Sequence, residues 1–274
     1  MVKLTTKQVA LMSVFATLIV IVTRLPGIPI LGGAAQGGGS VALSVVLYPV
    51  MGIVLGPWMG FVAAFIGNLI AWIIPTSSVF GLLLIPAGAV AAFVSGCIVQ
   101  NSGKLDWKVA TGILVALDAL WYLTPVGLEA PFYPLPHLAA VVLVILFRDK
   151  VSGYVHHPSR DKTILGIAIC SYASVMADHM FGNLAWISSI GLVIPLKAVR
   201  DAIKALGIIW LQLGIYVPSG SIGDIFMLVL PISILERAIY TTVATVLGAS
   251  IVRVIGWGRI TTFVKSSIVE NAKG

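Results

Sequence analysis

Long apolar runs without a charged side chain are the feature that most limits how this chain can fold. One such run extends from Trp58 to Ile74 and another from Val79 to Val99. A helix needs about 20 apolar residues to cross a hydrocarbon layer about 30 Å thick. The runs are continuous and do not alternate with polar residues, which excludes the pattern of a transmembrane β-barrel. The sequence therefore predicts an all-α fold, a polytopic transmembrane helical bundle.

The composition leads to the same prediction. Only 10% of the 274 residues are charged, whereas soluble domains contain about 25% charged residues. So few charges cannot cover a globule of this size in water, and the lipid bilayer must cover much of its surface. The net charge of +7 is typical of membrane proteins that keep Lys and Arg in cytoplasmic loops. We therefore expect no nucleic acid partner.

Turn-forming and polar segments separate the runs. At about 20 residues per crossing the chain length allows at most about a dozen spans, and the loops reduce the predicted number to six to eight. We expect one integral membrane domain over 1–274, in which a basic cytoplasmic loop at 148–162 joins the halves 1–147 and 163–256. The run from Leu138 to Phe147 has few residues for a full crossing. It is predicted either to cross the membrane or only to dip into it.

Basic residues mark the predicted cytoplasmic face. The Lys and Arg residues near the spans are concentrated in the N-terminus, 101–108, 148–162 and the C-terminal tail, and are missing from 25–40, 75–78 and 124–136. The positive-inside rule then predicts two cytoplasmic termini in a multi-pass protein of the cell (plasma) membrane. One charged helical face does not fit this distribution of basic residues. Its spacing predicts an interfacial helix or a helix that lines a polar groove. Its members are Lys197, Arg200, Asp201 and Lys204.

Several kinds of active site are not indicated. The sequence has no Gly-rich phosphate loop, no H-E-x-x-H and no G-x-S-x-G. Cys97 and Cys170 lie inside apolar runs without metal-ligand spacing, and His156-His157 is predicted to be solvated. We expect no enzyme, and therefore no catalytic residue, cofactor or metal. Active transport would take its energy from a partner protein or an ion gradient.

Polar side chains inside the apolar runs are the candidates for a binding site. An ionisable group at mid-membrane depth costs at least about 2.5–3.5 kcal/mol, so each is a functional candidate. Several have an aromatic residue at helical spacing, and such combinations line ligand pockets. The predicted substrate-binding residues are Asn68, Trp72, Asp118, Asp178, His179, Asn183, Trp186, Glu236 and Arg237.

Other interpretations of these residues stay open. Asp118 lies near the end of its run, beside Trp121 and Tyr122, where polar and aromatic residues collect at the membrane interface. Glu236 and Arg237 are adjacent in sequence and are predicted to point to different faces, so that they do not pair with each other. Asp178 is a possible partner of Arg237. Alternatively, Glu236 and Arg237 mark the entry of a span that starts at Ile232, after Pro231.

A short internal similarity links the two halves. The segment 67–73, GNLIAWI, is similar to 182–187, GNLAWI, with one residue inserted. Transporters often contain inverted or parallel repeats. Chance similarity is an equally good explanation for a match this short in a chain rich in Gly, Ala and Leu.

The segment from Tyr48 to Trp72 resembles a known family. Its Gly52, Gly56-Pro57, Gly60 and Gly67-Asn68 are similar to the second and third helices of the substrate-binding S components of energy-coupling factor (ECF) vitamin transporters. The last helix of those proteins resembles Leu230-Pro231, Glu236 and the small residues that follow. Small residues four apart let helices approach closely in lipid.

The resemblance implies a micronutrient uptake function. It implies a small, hydrophobic-walled pocket near the outer face for a vitamin-like substrate, and uptake that requires a separate coupling membrane protein and paired ATPases. Three alternatives remain. The buried Asp178–His179 pair and the internal similarity favour a self-sufficient secondary transporter or channel. The others are an enzyme acting on a lipid or isoprenoid, and a non-enzymatic membrane assembly subunit.

Overall fold

The computed structural model describes residues 4–25, 28–29, 40–41, 43–74, 78–100, 105–212 and 220–255. Almost all of these residues are helical, which agrees with the predicted fold class. The helices are α1 (Thr6–Val22), α2 (Leu47–Leu55), α3 (Pro57–Ile73), α4 (Val79–Gln100), α5 (Trp107–Tyr122), α6 (Pro125–Glu129), α7 (Leu135–Phe147), α8 (Val151–Val155), α9 (Arg160–Ser189), α10 (Leu196–Gln212) and α11 (Ile222–Ile255).

Two short elements precede α2. The strands β1 (Ile28–Pro29) and β2 (Ser40–Val41) pair antiparallel, with Ile28 opposite Val41 and Pro29 opposite Ser40. A 3₁₀ turn over Leu43–Val46 then leads directly into α2. Because this turn precedes α2 without a gap, it lengthens the apolar segment that α2 provides to the bundle.

Two helices in the described ranges, α4 and α9, are long and apolar enough to cross a membrane. Shorter apolar helices occur at α1, at Leu43–Leu55, at α3 and at α7. The helical, apolar architecture fits a membrane protein, and the predicted number of six to eight spans stays a prediction. The helix α7 has 13 residues, so whether it crosses the membrane or dips into it also stays open.

The two faces of α3 indicate whether water or lipid surrounds this helix. Its large apolar side chains are exposed, whereas its small residues are buried. The exposed ones are Trp58, Val62, Phe65, Ile66, Ile70 and Ile73. The buried ones are Gly60, Ala63, Ala64, Gly67 and Ala71. A helix in water would place its large apolar residues inside, so this arrangement fits lipid on the outside and close helix packing on the inside.

Glycine allows α2, α3 and α4 to pack closely. Gly56 has φ +80° and separates α2 from α3, and Pro57 occupies the first position of α3, where no intrahelical N–H is needed. A Cβ on Gly96 would lie 2.5 Å from the Pro57 nitrogen, and a Cβ on Gly60 would lie 3.2 Å from Gly52 Cα. The tight turn predicted at Gly56-Pro57 is therefore confirmed.

Residues from both halves of the sequence pack together in two hydrophobic clusters. The helix α9 packs against α2 and α4 from the first half and against α11 from the second. Small residues of α4 and α9, including Ala91, Ala173 and Ala177, are almost fully buried. Ser174 Oγ donates a 2.8 Å hydrogen bond to the Ala91 carbonyl across α4 and α9.

Two helix boundaries differ from the prediction. The helix α11 begins at Ile222 and contains Pro231, so the helix starts before the apolar run that the sequence shows from Ile232. The missing N–H of a proline is tolerated in membrane helices when neighbouring groups satisfy the freed carbonyl. Within the predicted loop 148–162, the structure places the short helix α8 and the first residues of α9.

The helix α10 carries the charged face seen in the sequence. Lys197, Arg200, Asp201 and Lys204 are all exposed, whereas Val199 is buried against the rest of the protein. Because α10 follows the end of α9 and precedes the start of α11, it lies at the end of the bundle where those two termini meet. This placement agrees with an interfacial helix, which stays a prediction.

Candidate functional site

A cavity of about 430 Å³ lies at one end of the bundle. Its walls come from the C-terminal halves of α3 and α9 and from the N-terminal halves of α4 and α11. The segment between α5 and α7, the residues just after α1, and the start of α2 with the 3₁₀ turn before it complete it. All these parts lie at the end of the helices opposite to the α4–α5 connection and the α7–α9 connection. The volume lies within the range of about 300–1,000 Å³ that is usual for small-molecule sites.

The cavity brings together eight of the nine predicted substrate-binding residues, and Asp118 does not line it. Residues from three separate helices thus converge on one space. The eight are Asn68, Trp72, Asp178, His179, Asn183, Trp186, Glu236 and Arg237. Their role in binding stays a prediction, because convergence shows proximity and not the occupant.

Asn68 connects three elements at the cavity wall. Tyr48 Oη, from α2, donates a 2.9 Å hydrogen bond to Asn68 Oδ1. Asn68 Nδ2 in turn donates to the Ile85 carbonyl of α4 at 3.2 Å. Tyr48 Oη also lies 3.3 Å from Ser44 Oγ. Both ends of the amide are therefore used, which fixes Asn68 and the Tyr48 ring beside the cavity.

A second hydrogen-bonded chain joins α7 and α9. Asn183 Nδ2 donates to Tyr133 Oη at 3.2 Å, and Tyr133 Oη lies 3.2 Å from His179 Nε2. His179 Nδ1 lies 3.2 Å from His137 Nε2. Asn183 donates to Tyr133, whereas the direction of the two bonds that involve His179 depends on which ring nitrogens of His179 and His137 carry the protons. The chain thus links an amide, a phenol and two imidazoles beside the cavity.

Glu236 and Arg237 form an ion pair at 3.6 Å, and both side chains are buried. The prediction that these neighbours do not pair is therefore wrong. The helical rotation between adjacent residues separates their Cβ atoms, but both side chains are long enough to bend toward each other. Asp178 makes no ion pair within 4.0 Å in the described part of the chain, so its predicted pairing with Arg237 is not formed. The Arg237 guanidinium instead lies 5.4 Å from the Tyr240 ring centre.

Asp118 does not line the cavity. Asp118 and Trp121 are buried inside the protein, whereas Tyr122 is 36% exposed. The Trp121 ring stacks on the Tyr133 ring, with 4.8 Å between the ring centres, and packs edge-on against the Phe226 ring, also with 4.8 Å between the ring centres. Both of those rings line the cavity. Trp121 therefore supports two aromatic walls from the outside.

Several lining residues were not among the predicted ones. Tyr48, Tyr133 and Arg24 line the cavity, and His137 lies directly behind it as the partner of His179. Tyr133 and His137 are four residues apart, which is a helical spacing. That spacing was the available signal, but it is interrupted by Pro134 and Pro136.

The described residues contain no group of three or more His, Cys, Asp or Glu side chains that could hold a metal ion. The polar groups that line the cavity include amides, phenols, the His179 imidazole, the Asp178 carboxylate, the Arg24 guanidinium and the Glu236–Arg237 ion pair. Such a set can bind an organic molecule through directed hydrogen bonds between aromatic walls.

Comparison with known proteins gives this geometry a family context. Residues 3–124 match the family model of the ECF-type riboflavin transporter S component. The resemblance predicted from the segment 48–72 is thereby confirmed, and it extends over α1 to α5. This family implies a membrane location and substrate uptake, and its members are in general not enzymes. The S-component-like region supplies Tyr48, Asn68 and Trp72, whereas the α9 and α11 walls lie beyond it.

An uncharacterized protein of Methanocaldococcus jannaschii is similar over a larger part of the chain. It is 30% identical over 198 residues, which are 72% of this chain and 56% of that protein. The chain thus spans little more than half the length of this curated relative. No solved structure matches the chain.

Proposed function

We propose that this chain captures a small organic micronutrient in the cavity and takes part in its uptake across the membrane. The convergence of eight candidate polar and aromatic residues on one space of about 430 Å³ is the observation that carries this proposal. A membrane interior makes isolated polar groups costly. A shared binding site accounts for their presence on three helices.

The cavity is proposed to open to the outside of the cell. It lies at the end of the bundle opposite to the end of α4, the start of α5 and the segment 148–162. The sequence segments 101–108 and 148–162 are rich in Lys and Arg. The positive-inside rule assigns those segments to the cytoplasm. Reactivity of single cysteines with a membrane-impermeant reagent in intact cells tests this orientation. A cysteine at Ser188, which is exposed near the cavity end, should react, and one at Ser159 should not.

Uptake is proposed to require a separate coupling membrane protein and ATPases, as in the family that 3–124 matches. Riboflavin, which the description of that family names, is the first substrate to test. Co-expression with tagged ECF proteins should recover the complex. Purification of this chain without any partner, together with proton-dependent uptake by the chain alone, would contradict the coupled mechanism.

The central experiment identifies the bound molecule. The full chain is purified in mild detergent and denatured, and the released small molecules are measured by mass spectrometry. One organic compound should be released in near-equal amount to the protein. Its amount should fall in Asn183→Ala, which loses a donor at the cavity wall. It should persist in Ser188→Ala, because Ser188 lies on the same helix and bonds only to its own helix. Release of no compound from any preparation would refute the proposal.

A self-sufficient secondary transporter is a second candidate. The chain Asn183–Tyr133–His179–His137 favours it, because linked phenol and imidazole groups can pass protons. Uptake into liposomes that contain only this chain, driven by a proton gradient and lost in His179→Gln, would support this candidate.

A further inference from the structure

The ionisable groups at the cavity differ in whether they have a partner in the protein. Arg24, at the end of α1, donates to the carbonyls of Ala71 and Ile74 at the end of α3 and keeps its positive charge. Glu236 and Arg237 are partners of each other within α11, at 3.6 Å. These three charged side chains therefore already have partners before any ligand enters.

Asp178 is different. Within the described residues its carboxylate makes no hydrogen bond and no ion pair within 4.0 Å, although it lines the cavity and is partly exposed. The neighbouring His179 is already bonded on both ring nitrogens, to Tyr133 and His137. A carboxylate in a low-dielectric space is costly unless a positive group meets it or it takes up a proton. The charge of Arg237 acts on Asp178 without forming an ion pair with it, so a positive group on the occupant would be the first direct partner of this carboxylate.

The position of Asp178 places it deep in the cavity. It lies eight residues before Trp186 on α9, which corresponds to about 12 Å along the helix axis. Trp186 lies close to the end of the helix, as does Trp72 on α3. A ligand bound to Asp178 would therefore have to pass or contact the two tryptophans.

The walls around this carboxylate are aromatic. Six aromatic residues line the cavity, and their ring faces attract cations through the negative charge of the π system. They are Tyr48, Trp72, Phe80, Tyr133, Trp186 and Phe226. A carboxylate without an ion-pair partner, in a cavity with aromatic walls, is suited to bind a positively charged nitrogen compound. A neutral ligand would give this carboxylate no charged partner.

We propose that the ligand of this cavity is an organic cation, whose positively charged nitrogen is bound by Asp178 between the aromatic walls. This inference rests on the proposed function and specifies its substrate class. The charge of Arg237 does not oppose such a ligand strongly, because Glu236 already pairs with it. Asp178 is therefore the residue that distinguishes a charged ligand from a neutral one of similar size.

The first test is the charge of the compound released from the purified full chain. A compound that is cationic at pH 7 supports the inference, and a neutral or anionic compound overturns it while leaving the proposed function intact. If no small molecule is released and neither probe described below binds, both proposals fail. The charge and mass are measured together by mass spectrometry and electrophoretic mobility.

The second test uses two probes of different charge, thiamine as a heteroaromatic cation and riboflavin as a neutral heteroaromatic. Protein washed free of ligand is titrated with each, and binding is followed by tryptophan fluorescence. Thiamine should bind more tightly, and Asp178→Asn should weaken its binding by roughly 10- to 100-fold. Asp178→Glu, which keeps the charge, should recover part of the affinity.

The controls separate charge recognition from a folding defect. Asn is nearly the same size as Asp, and Asp178 contributes no hydrogen bond in the described structure, so Asp178→Asn should melt close to the wild-type temperature. Ser188→Ala should bind thiamine as the wild type does. Riboflavin binding that exceeds thiamine binding and is equal in wild type and Asp178→Asn would overturn the inference.

Discussion

Replacing Gly52 by Ala tests the close packing of α2 against α4. A Cβ at this position would overlap the carbonyl oxygen of Ala92 and the hydroxyl of Ser95, and would lie 2.7 Å from the Gly96 nitrogen. Two of these three atoms belong to the backbone of α4, so a side-chain rotation cannot relieve the overlap. The helices must separate instead. Overpacking of this kind costs about 1–3 kcal/mol.

A second glycine provides the matched control. Gly112 lies inside α5, is exposed, and would have no atom within 4 Å of an added Cβ. Gly→Ala inside a helix gains up to about 1 kcal/mol from helix propensity alone. Because both variants have this gain, the difference between Gly52→Ala and Gly112→Ala isolates the packing cost. We expect that difference to be about 1–3 kcal/mol in the free energy of unfolding.

The assay is thermal or denaturant unfolding of the purified variants in the same detergent, followed by tryptophan fluorescence. Gly52→Ala should unfold well before the wild type, and Gly112→Ala at the same point or later. Equal unfolding midpoints for the two variants would refute the packing argument, because helix propensity contributes equally to both variants and the packing cost would then be zero. A lower midpoint for Gly112→Ala than for Gly52→Ala would refute it as well.

Three further predictions concern the cavity, its rim and the opposite end of the bundle. Gly88→Ala should weaken ligand binding, because its Cβ would overlap the Tyr48 ring and displace it from the cavity wall; ligand titration measures this effect. Arg24→Met should lower the free energy of unfolding by about 1 kcal/mol, because the carbonyls at the end of α3 lose a charged donor at an exposed site; denaturant unfolding measures it. Burial lowers the pKa of His156 to about 4, so the unfolded chain takes up the proton first as the pH falls below about 6.5. Stability should therefore decline between about pH 6.5 and 4, less steeply in His156→Gln.

Matched control variants distinguish these effects from a non-specific loss of stability. Gly153→Ala adds a Cβ with no atom within 4 Å and should leave binding unchanged. Arg200→Met removes an exposed cation on α10 and should leave the unfolding midpoint unchanged. Parallel pH profiles of wild type and His156→Gln would show that other groups cause the decline. Wild-type binding by Gly88→Ala would show that the Tyr48 ring position is not needed.

Local sequence signals predicted the first helices well because each signal had a local cause. The Gly56-Pro57 turn follows from a positive φ that favours glycine and from the tolerance of proline at the first helical position. The start of α11 could not be predicted in this way. Pro231 is locally a helix breaker, and the helix continues through it because packing within the bundle outweighs one missing hydrogen bond.

The residues of the candidate site show the same difference between local signals and contacts that are distant in sequence. Asn68, His179 and Asn183 could be predicted, because a polar group in an apolar helix is visible from the sequence alone. Tyr133 and His137 could not, since Tyr133 lies in the Pro-rich segment before α7 and His137 in the first turn of α7, where the prolines obscure the helical period. Their positions result from contacts with His179 on α9, more than 40 residues away in sequence.

The similarity between 67–73 and 182–187 gains physical meaning from the structure. Its Asn and Trp residues line the same cavity from the C-terminal halves of α3 and α9, so both helices pass the cavity in the same direction. The inserted residue changes the Asn-to-Trp spacing from three to four, and both spacings keep the pair on one helical face. Each Asn also bonds to a Tyr from an earlier element. If these two amide–phenol pairs hold one ligand, Asn68→Ala and Asn183→Ala should each weaken the same binding event, and an effect of only one would show that the similarity has no functional role.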